Sequence, residues 1–295
     1  AFFRRQRQMC IRDRYNASLV DWSDVKVHVL SHGLHYASCV FEGERVYDGE
    51  IFKLEEHTSR FFYSARRMGF EIPYTEEQIN KACKQIISVQ NVENGYVRPV
   101  AWRGSEMMAI SAQQTKIHVA VATWEWGSYF DPKLKLEGIK LNISKWKRPA
   151  PDTIPWDTKA SGLYMICTLS KHEAERDGYT DSLMLDHEGN VAEATGANVF
   201  FKDKDGILHT PIPDSFLDGI TRRTVIEIAK SKNIKVVERK INPEELKNFS
   251  GCFLTGTAAE VTPVSKIANY DFKVCNTIIE LSDSYQLVVR KKKAA

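Results

Sequence analysis

Residues 193–222 read EATGANVFFKDKDGILHTPIPDSFLDGITR, and they carry most of the information about the fold of this chain. Glu193 and Asn198 stand five residues apart at the start of this stretch, and the sextet LDGITR closes it. Residues 220–233 continue with helical spacing, whereas the apolar runs before them have strand character. The pattern therefore predicts strands followed by a glycine-containing turn at the start of a helix.

Two features of this stretch favour binding of a charged ligand. Glu193 lies at the end of a predicted strand among small residues, which favours a buried carboxylate over the usual surface position of an acid. Gly219, Ile220 and Thr221 come immediately before or at the start of the predicted helix. Free backbone N–H groups and the helix dipole at such a position attract a dianion such as a phosphate.

Lys159 lies in the segment TIPWDTKASGLYM, where proline, tryptophan, alanine, glycine, leucine and tyrosine surround it. Most lysines are solvated surface charges, but this setting is unusually apolar. Desolvation lowers the pKa of a lysine and makes its amine nucleophilic. Lys159 is therefore a candidate for covalent chemistry.

The order and spacing within residues 193–222 resemble the signature of the class IV (fold type IV) pyridoxal-phosphate aminotransferases. Lys159 precedes Glu193 by 34 residues, which matches the distance between the cofactor lysine and the signature glutamate in that family. The resemblance implies an α/β (α+β) fold of two domains, a small N-terminal α/β domain and a larger C-terminal domain with a barrel-like sheet. It also implies pyridoxal 5'-phosphate as the cofactor and Lys159 as the catalytic Schiff-base lysine.

The resemblance implies a set of cofactor-binding residues. Arg60 matches the arginine that contacts the phosphate, Tyr164 matches the tyrosine that bonds the ring oxygen, and Glu193 would hold the proton on the pyridine nitrogen. The phosphate would also contact the helix start and the small-residue loop TGTAAE. The full predicted set is Arg60, Lys159, Tyr164, Glu193, Leu217, Gly219, Ile220, Thr221 and Thr257.

The segment Tyr96-Val97-Arg98-Pro99 resembles the Y-x-R-P strand of the branched-chain amino-acid aminotransferases within this family. Such enzymes accept an apolar side chain and also the side-chain carboxylate of glutamate, which the fork of Arg98 could hold by two bonds. The resemblance implies a ping-pong transfer of the amino group of L-Leu, L-Ile or L-Val to 2-oxoglutarate. The predicted substrate-binding residues are Tyr36, Phe41, Tyr96, Arg98, Ile110, Trp126, Tyr129, Thr257 and Ala258.

Other activities remain open at this point. D-amino-acid aminotransferases and (R)-selective amine transaminases share the cofactor motif but usually lack Y-x-R-P. Aminodeoxychorismate lyases, which catalyse a different class of reaction, share the fold. Tyr36 and Ile110 correspond to family positions that reach into a neighbouring subunit, so we expect a homodimer or a hexamer of dimers.

The bulk composition is that of an ordinary globular protein. The 295 residues are 43% hydrophobic and 27% charged, with a net charge of +3, so they favour two domains and give no reason to expect nucleic acid. No apolar run approaches the length of about 18 residues needed for a membrane span. The six cysteines stand far apart without a C-x-x-C pair or a metal-ligand spacing, which favours reduced thiols in a cytoplasmic protein and no metal.

We predict a disordered or extraneous tail over residues 1–14, a small domain over 15–125, a linker over 126–136 and a large domain over 137–295. Local patterns also predict individual elements. These are a strand over residues 24–29, a hairpin that turns at Asp48-Gly49, a helix over 54–68, a helix capped by Thr75 in a capping box, and a strand followed by a loop over 251–267.

Overall fold

A computed structural model describes residues 12–127, 129–130 and 132–291. Residues 12–127 and 158–163 form one compact unit, and the other described residues form a second. Residues 1–11 of the predicted tail lie outside the described part. Residues 12–14 do not belong to a tail, because the strand that contains them pairs through Arg14 with Val121.

The first unit is built on an antiparallel sheet with helices packed beside it. Its strands run in the order β2-β1-β7-β6-β4-β5, and β3 pairs with β6. The strands are β1 (Arg12–Tyr15), β2 (Ser18–Asp21), β3 (Cys39–Phe41), β4 (Glu44–Tyr47), β5 (Glu50–Ile51), β6 (Gly95–Arg103) and β7 (Ile117–Glu125), and the helices are α1 (His32–Tyr36), α2 (Leu54–Arg67), α3 (Glu76–Val89) and a 3-10 turn (Trp22–Asp24).

The local predictions for α2, α3 and the β4–β5 hairpin are confirmed. Asp48 and Gly49 both have positive φ angles, 51° and 80°, as the tight turn between two antiparallel strands requires. Thr75 Oγ1 accepts from the Gln78 N–H at 3.2 Å, and Gln78 Oε1 accepts from the Thr75 N–H at 2.8 Å, which completes the capping box.

The strand predicted over residues 24–29 is wrong. This segment begins in a 3-10 turn and then runs as irregular chain. Val27 and Val29 are 51% and 67% exposed, so the alternation of apolar residues here buries neither face. Alternating apolar residues form a strand only when a neighbouring strand pairs with the backbone and a core buries the apolar face. No described strand pairs with this segment.

The second unit contains a mixed sheet flanked by helices. Its strands are β8 (Ile139–Ile143), β9 (Asp181–Leu185), β10 (Val191–Ala194), β11 (Asn198–Lys202), β12 (Leu208–Thr210), β13 (Val236–Glu238), β14 (Gly251–Gly256), β15 (Glu260–Ile267) and β16 (Tyr270–Asp271). Its helices are α4 (Pro132–Glu137), α5 (Met165–Arg176), α6 (Ile220–Ser231), α7 (Asn276–Val289) and a 3-10 helix (Pro243–Asn248). A further 3-10 helix (Ser161–Tyr164) begins in residues of the first unit and ends at the start of α5. Within the described residues, no helix has both the length and the apolar character that crossing a membrane requires.

Six strands of the second unit close on themselves. They pair in the order β10-β9-β8-β15-β14-β11, and β11 pairs with β10 again through Glu193 and Asn198. The predicted barrel-like sheet is therefore confirmed. The loop predicted after the first strand of 251–267 is wrong, because residues 260–267 form β15 opposite β14. Pro263 lies within β15 opposite Phe253.

Candidate active site

The backbone of Lys159 is held by two elements of the first unit. The Lys159 N–H donates to Ser64 Oγ on α2 at 3.0 Å. The Lys159 carbonyl accepts from the Phe41 N–H at the end of β3, at 3.1 Å. A further bridge joins Val40 to Ala160. A segment that lies far from β3 and α2 in the sequence is thus fixed against both.

The side chain of Lys159 lies in the setting that the sequence predicted. Burial lowers the pKa of its amine to about 8, an effect that Glu42 opposes and that Arg60 reinforces. The amine lies 4.9 Å from the centre of the Phe41 ring. At neutral pH, roughly a tenth of such an amine is uncharged, which is far more than for an ordinary lysine.

Arg60 is not a solvated surface residue. Its Nε donates to Glu42 Oε1 at 2.6 Å and its Nη2 donates to Glu42 Oε2 at 2.9 Å. His57 Nδ1, one turn earlier on α2, donates to the same Glu42 Oε2 at 2.7 Å. Glu42 is fully buried. Neither Glu42 nor His57 was predicted from the sequence, although an acid inside the apolar run VFEGERVY is a detectable signal.

Four of the predicted substrate-binding residues lie together in the first unit. The Arg98 guanidinium carbon lies 4.6 Å from the centre of the Phe41 ring and 5.5 Å from that of Tyr96. The rings of Tyr96 and Trp126 meet edge to face, 4.6 Å between centres. Arg98 Nε is buried and has no hydrogen-bond partner among the described residues. Phe41 therefore contacts both the Lys159 amine and the Arg98 guanidinium.

Tyr36 and Ile110 stand apart from this group. Their exposed fractions are 43% and 82%. His32 contacts both regions: its ring stacks on Tyr36 with 4.6 Å between ring centres, and its Nε2 bonds the carbonyl of Ala109, the residue before Ile110, at 2.9 Å. They form an exposed apolar area of the first unit. Tyr129 is also exposed and lies in the second unit.

Glu193 lies on the closed sheet of the second unit and is buried, as predicted. Asn198 faces it across β10 and β11 and donates through Nδ2 to Glu193 Oε2 at 3.3 Å. Arg148 Nε lies 3.4 Å from Glu193 Oε1, and its side chain is only 4% exposed. Arg148 was not predicted from the sequence, because it stands among lysines in SKWKRP and resembles part of a solvated charge run. A buried ion pair and an amide together fix the Glu193 carboxylate.

The start of α6 also depends on Asn198. Helix α6 begins at Ile220 with Gly219 as its N-cap, and no side chain caps it. The Gly219 N–H donates to Asn198 Oδ1 at 3.2 Å, and Asn198 Nδ2 donates to the Leu217 carbonyl at 3.0 Å. A Cβ at position 219 would lie 2.2 Å from Asn198 Oδ1, so only glycine fits this close approach. The predicted glycine-containing turn at the start of a helix is present.

The remaining predicted residues of the second unit are buried or half-buried. Thr257 and Ala258 are half-buried in the turn that joins β14 to β15, and Thr221 is buried in the first turn of α6. Thr255 Oγ1 and Ser215 Oγ are buried and have no hydrogen-bond partner among the described residues. Tyr164 is half-buried at the start of α5.

Residues 39–267 match the model of the amino-transferase class IV family. The chain belongs to this family. Its resemblance to the class IV enzymes, stated from the sequence, is confirmed, and so are the fold type and the transaminase class that the resemblance implied. Because the enzymes of this family use pyridoxal phosphate, the predicted cofactor, pyridoxal 5'-phosphate, is confirmed as well.

Individual class IV relatives share most of the chain. A probable branched-chain-amino-acid aminotransferase from Rickettsia conorii is 41% identical over 94% of this chain and 95% of its own length. The branched-chain-amino-acid aminotransferase of Escherichia coli K12 is 38% identical over 86% of this chain and 84% of its own.

A solved class IV structure gives the same result. The T.th. branched-chain amino acid aminotransferase with pyridoxamine 5'-phosphate superposes with a TM-score of 0.92 at 35% identity, covering 96% of this chain and 95% of that chain. Further structures of the same T.th. enzyme contain N-(5'-phosphopyridoxyl)-L-glutamate and 4-methylvaleric acid.

Proposed function

We propose that this chain is a branched-chain amino-acid aminotransferase that moves the amino group of L-Leu, L-Ile or L-Val to 2-oxoglutarate with pyridoxal phosphate. The observation that carries the proposal is the position of Phe41, whose ring contacts both the Lys159 amine and the Arg98 guanidinium. An apolar surface and a cation thus lie beside the one lysine whose pKa is strongly lowered among the described residues.

The residues present fit the cofactor. Pyridoxal phosphate requires an amine for its aldehyde, an acid for its ring nitrogen, and cationic and N–H donors for its phosphate. The chain supplies an amine of lowered pKa at Lys159, a buried carboxylate at Glu193 and an uncapped helix start at Ile220. Arg60 adds a guanidinium whose orientation is already fixed. The Glu193 carboxylate, which Arg148 and Asn198 orient, would hold a proton on the ring nitrogen.

The bound cofactor supplies the electron sink for the negative charge that develops at the substrate Cα. Nζ of Lys159 would hold the cofactor covalently and, as the free amine, would take the proton from the substrate Cα. The ring oxygen is assigned to Tyr164, and the substrate α-carboxylate to the N–H groups of Thr257 and Ala258. Leu217, Gly219, Ile220 and Thr221 surround the phosphate in this assignment.

Substrate selection is assigned to the group around Phe41. Tyr96, Trp126 and Phe41 offer apolar ring surface for a branched side chain. Arg98 supplies a charged fork for the side-chain carboxylate of glutamate or 2-oxoglutarate. The T.th. relative, which binds both a glutamate adduct and 4-methylvaleric acid, supports one pocket with both capacities.

A transamination panel tests this function. L-Leu, L-Ile, L-Val, D-Ala and (R)-phenylethylamine are each offered with 2-oxoglutarate or pyruvate, and pyruvate release from aminodeoxychorismate is measured in parallel. We expect turnover of the three L-amino acids with 2-oxoglutarate. Turnover confined to D-Ala or the (R)-amine, or pyruvate release without transamination, would instead support the alternative activities of this fold.

We also propose a homo-oligomer, a homodimer or a hexamer of dimers, in the cytoplasm. The exposed apolar area around Tyr36 and Ile110 supports self-association, because such side chains gain free energy when a second subunit covers them. The five cysteines of the described residues are all free thiols, which supports a reducing compartment.

A further inference from the structure

Glu42 lies where two elements that hold Lys159 meet. Its neighbour Phe41, at the end of β3, donates its N–H to the Lys159 carbonyl. Its carboxylate accepts from Arg60 and His57 on α2. Helix α2 also carries Ser64, whose hydroxyl accepts from the Lys159 N–H. Glu42 therefore connects the end of β3, which binds the Lys159 carbonyl, to α2, which binds the Lys159 N–H.

Helix α2 presents these groups on one face because of its period. His57, Arg60 and Ser64 follow at intervals of three and four residues, which places them in successive turns on the same side. This face donates three hydrogen bonds to the carboxylate of Glu42, two from Arg60 and one from His57, and the Gly43 N–H donates a further bond to Oε2 at 3.3 Å. A bidentate guanidinium–carboxylate pair has a fixed plane, so the orientation of Arg60 follows from that of Glu42.

We infer that Glu42 is a positioning residue that orients the guanidinium of Arg60 toward the phosphate and, by joining β3 to α2, fixes the backbone of Lys159. This role rests on the proposed function, since it presumes pyridoxal phosphate as the ligand. Glu42 itself touches neither the phosphate nor the substrate in this role. It acts through Arg60 and Lys159.

The charges around Glu42 agree with this role. Burial alone would raise the pKa of Glu42, but Arg60 and His57 outweigh burial and hold that pKa well below its usual range. Burial lowers the pKa of His57, so this ring is neutral at physiological pH and donates through Nδ1. The pKa of Lys159 is also affected by the neighbouring groups Glu42, Arg60, Tyr96 and Arg98. The pKa values of Glu42 and its neighbour Glu44 are affected by His57, Arg60 and Cys83.

Glu44 provides a matched control two residues away. It is as fully buried as Glu42, yet neither of its carboxyl oxygens accepts from a nitrogen or oxygen donor among the described residues. Burial, with a contribution from Glu42, raises the pKa of Glu44 well above its usual value. Glu44→Gln therefore keeps the size of a buried side chain that no such donor holds, whereas Glu42→Gln removes a charge and breaks the fork.

The test measures the dissociation constant of pyridoxal phosphate and the pH titration of the bound-cofactor absorbance for the wild type, Glu42→Gln and Glu44→Gln. We expect Glu42→Gln to raise the dissociation constant by about 10- to 100-fold, the usual effect of losing a partner that orients a ligand-binding group. We expect it also to shift the absorbance titration, whereas Glu44→Gln changes neither by more than about twofold. Equal values for the folded wild type and Glu42→Gln would overturn the inference.

A double variant keeps the inference testable if Glu42→Gln alone does not fold. Removing one partner of a buried ion pair destabilises a protein strongly, but Glu42→Gln with Arg60→Met removes both charges. Arg60→Met already removes two of the three bonds that join Glu42 to α2, and the amide oxygen of Glu42→Gln can still accept the third from His57. The double variant is therefore expected to bind the cofactor as weakly as Arg60→Met alone, within about twofold. A further tenfold loss would contradict the inference. A wild type that does not bind pyridoxal phosphate would refute the proposed function itself.

Discussion

At the scale of single residues, the reactivity of Lys159 comes from its position rather than from its residue type. Its backbone N–H and carbonyl are held by Ser64 and Phe41, which fixes the point from which the side chain extends. Burial then penalises the ammonium form and lowers the pKa to about 8. Glu42 limits this shift, because its negative charge favours the ammonium form.

The lowered pKa predicts how the cofactor-free protein captures pyridoxal phosphate. Only the free amine attacks an aldehyde, and its fraction rises about tenfold per pH unit below the pKa. We therefore expect the capture rate, followed by stopped-flow absorbance, to rise with pH and to level off above about pH 8. A rate that continued to rise beyond roughly pH 10, as for a solvent-exposed lysine, would contradict the burial of this amine.

Arg98 predicts a difference between the two halves of the reaction. An apolar side chain makes little use of a guanidinium, whereas the side-chain carboxylate of glutamate needs one. Removing one partner of a buried charged hydrogen bond costs about 2–5 kcal/mol, which is roughly 30- to several-thousand-fold. We expect Arg98→Met to slow the reaction with glutamate by this range and the reaction with leucine much less, in stopped-flow measurements of each half.

Arg103→Met is the matched control for this experiment. Arg103 lies on the same strand β6 but bonds the carbonyl groups of Ala112 and Gly69. The ratio of the leucine and glutamate rates should stay at the wild-type value in this variant. Equal losses for leucine and glutamate in Arg98→Met would show that Arg98 supports the strand rather than the substrate.

At the scale of elements, α3 owes its start to the capping box of Thr75 and Gln78. Replacing an N-cap threonine by alanine costs about 0.5–2 kcal/mol, because an N–H of the first turn loses its acceptor. We expect Thr75→Ala to lower the free energy of unfolding by about 1 kcal/mol, measured by chemical denaturation. Ser59→Ala, which removes an exposed hydroxyl from the middle of α2, should change it by less than about 0.5 kcal/mol. A Thr75→Ala effect no larger than that of Ser59→Ala would mean that the box contributes nothing to stability.

The elements that the sequence predicts well are those whose signals are local. The caps of α3, the positive φ angles of Asp48 and Gly49, and the apolar face of α2 all depend on residues within one or two turns. The segment 24–29 shows the limit of this reasoning, since its alternation required a neighbouring strand that is absent from the described residues. Residues 260–267 were predicted as a loop, but they form a strand because they pair with β14, which a local pattern does not reveal.

The candidate site divides in the same way. The motif from Glu193 to Thr221 could be read from the sequence because it is contiguous and its spacing is constrained. The roles of Glu42, His57 and Arg148 could not, because each role comes from a contact with a residue distant in the chain. For Glu42, the sequence shows only that an acid stands inside an apolar run. An ion pair across such a separation leaves no periodic pattern in one sequence.

At the scale of the whole molecule, the exposed area around Tyr36 and Ile110 predicts self-association. We expect light scattering to give the mass of a dimer or of a hexamer of dimers at concentrations where the protein is active. Ile110→Glu should weaken the association, because a charge within a covered apolar contact is desolvated without a partner. A monomer with full activity in dilute solution would contradict the oligomer that we propose.

The position of Lys159 within the molecule gives the most direct test of the central claim. Borohydride reduction of the holoenzyme, followed by peptide mapping, identifies which of all the lysines in the chain carries the cofactor. We predict that the pyridoxyl group lies on the peptide that contains Lys159, and that Lys159→Ala retains the wild-type circular dichroism but incorporates none. A pyridoxyl group on any other lysine of the wild type, or incorporation that persists in Lys159→Ala, would contradict this account.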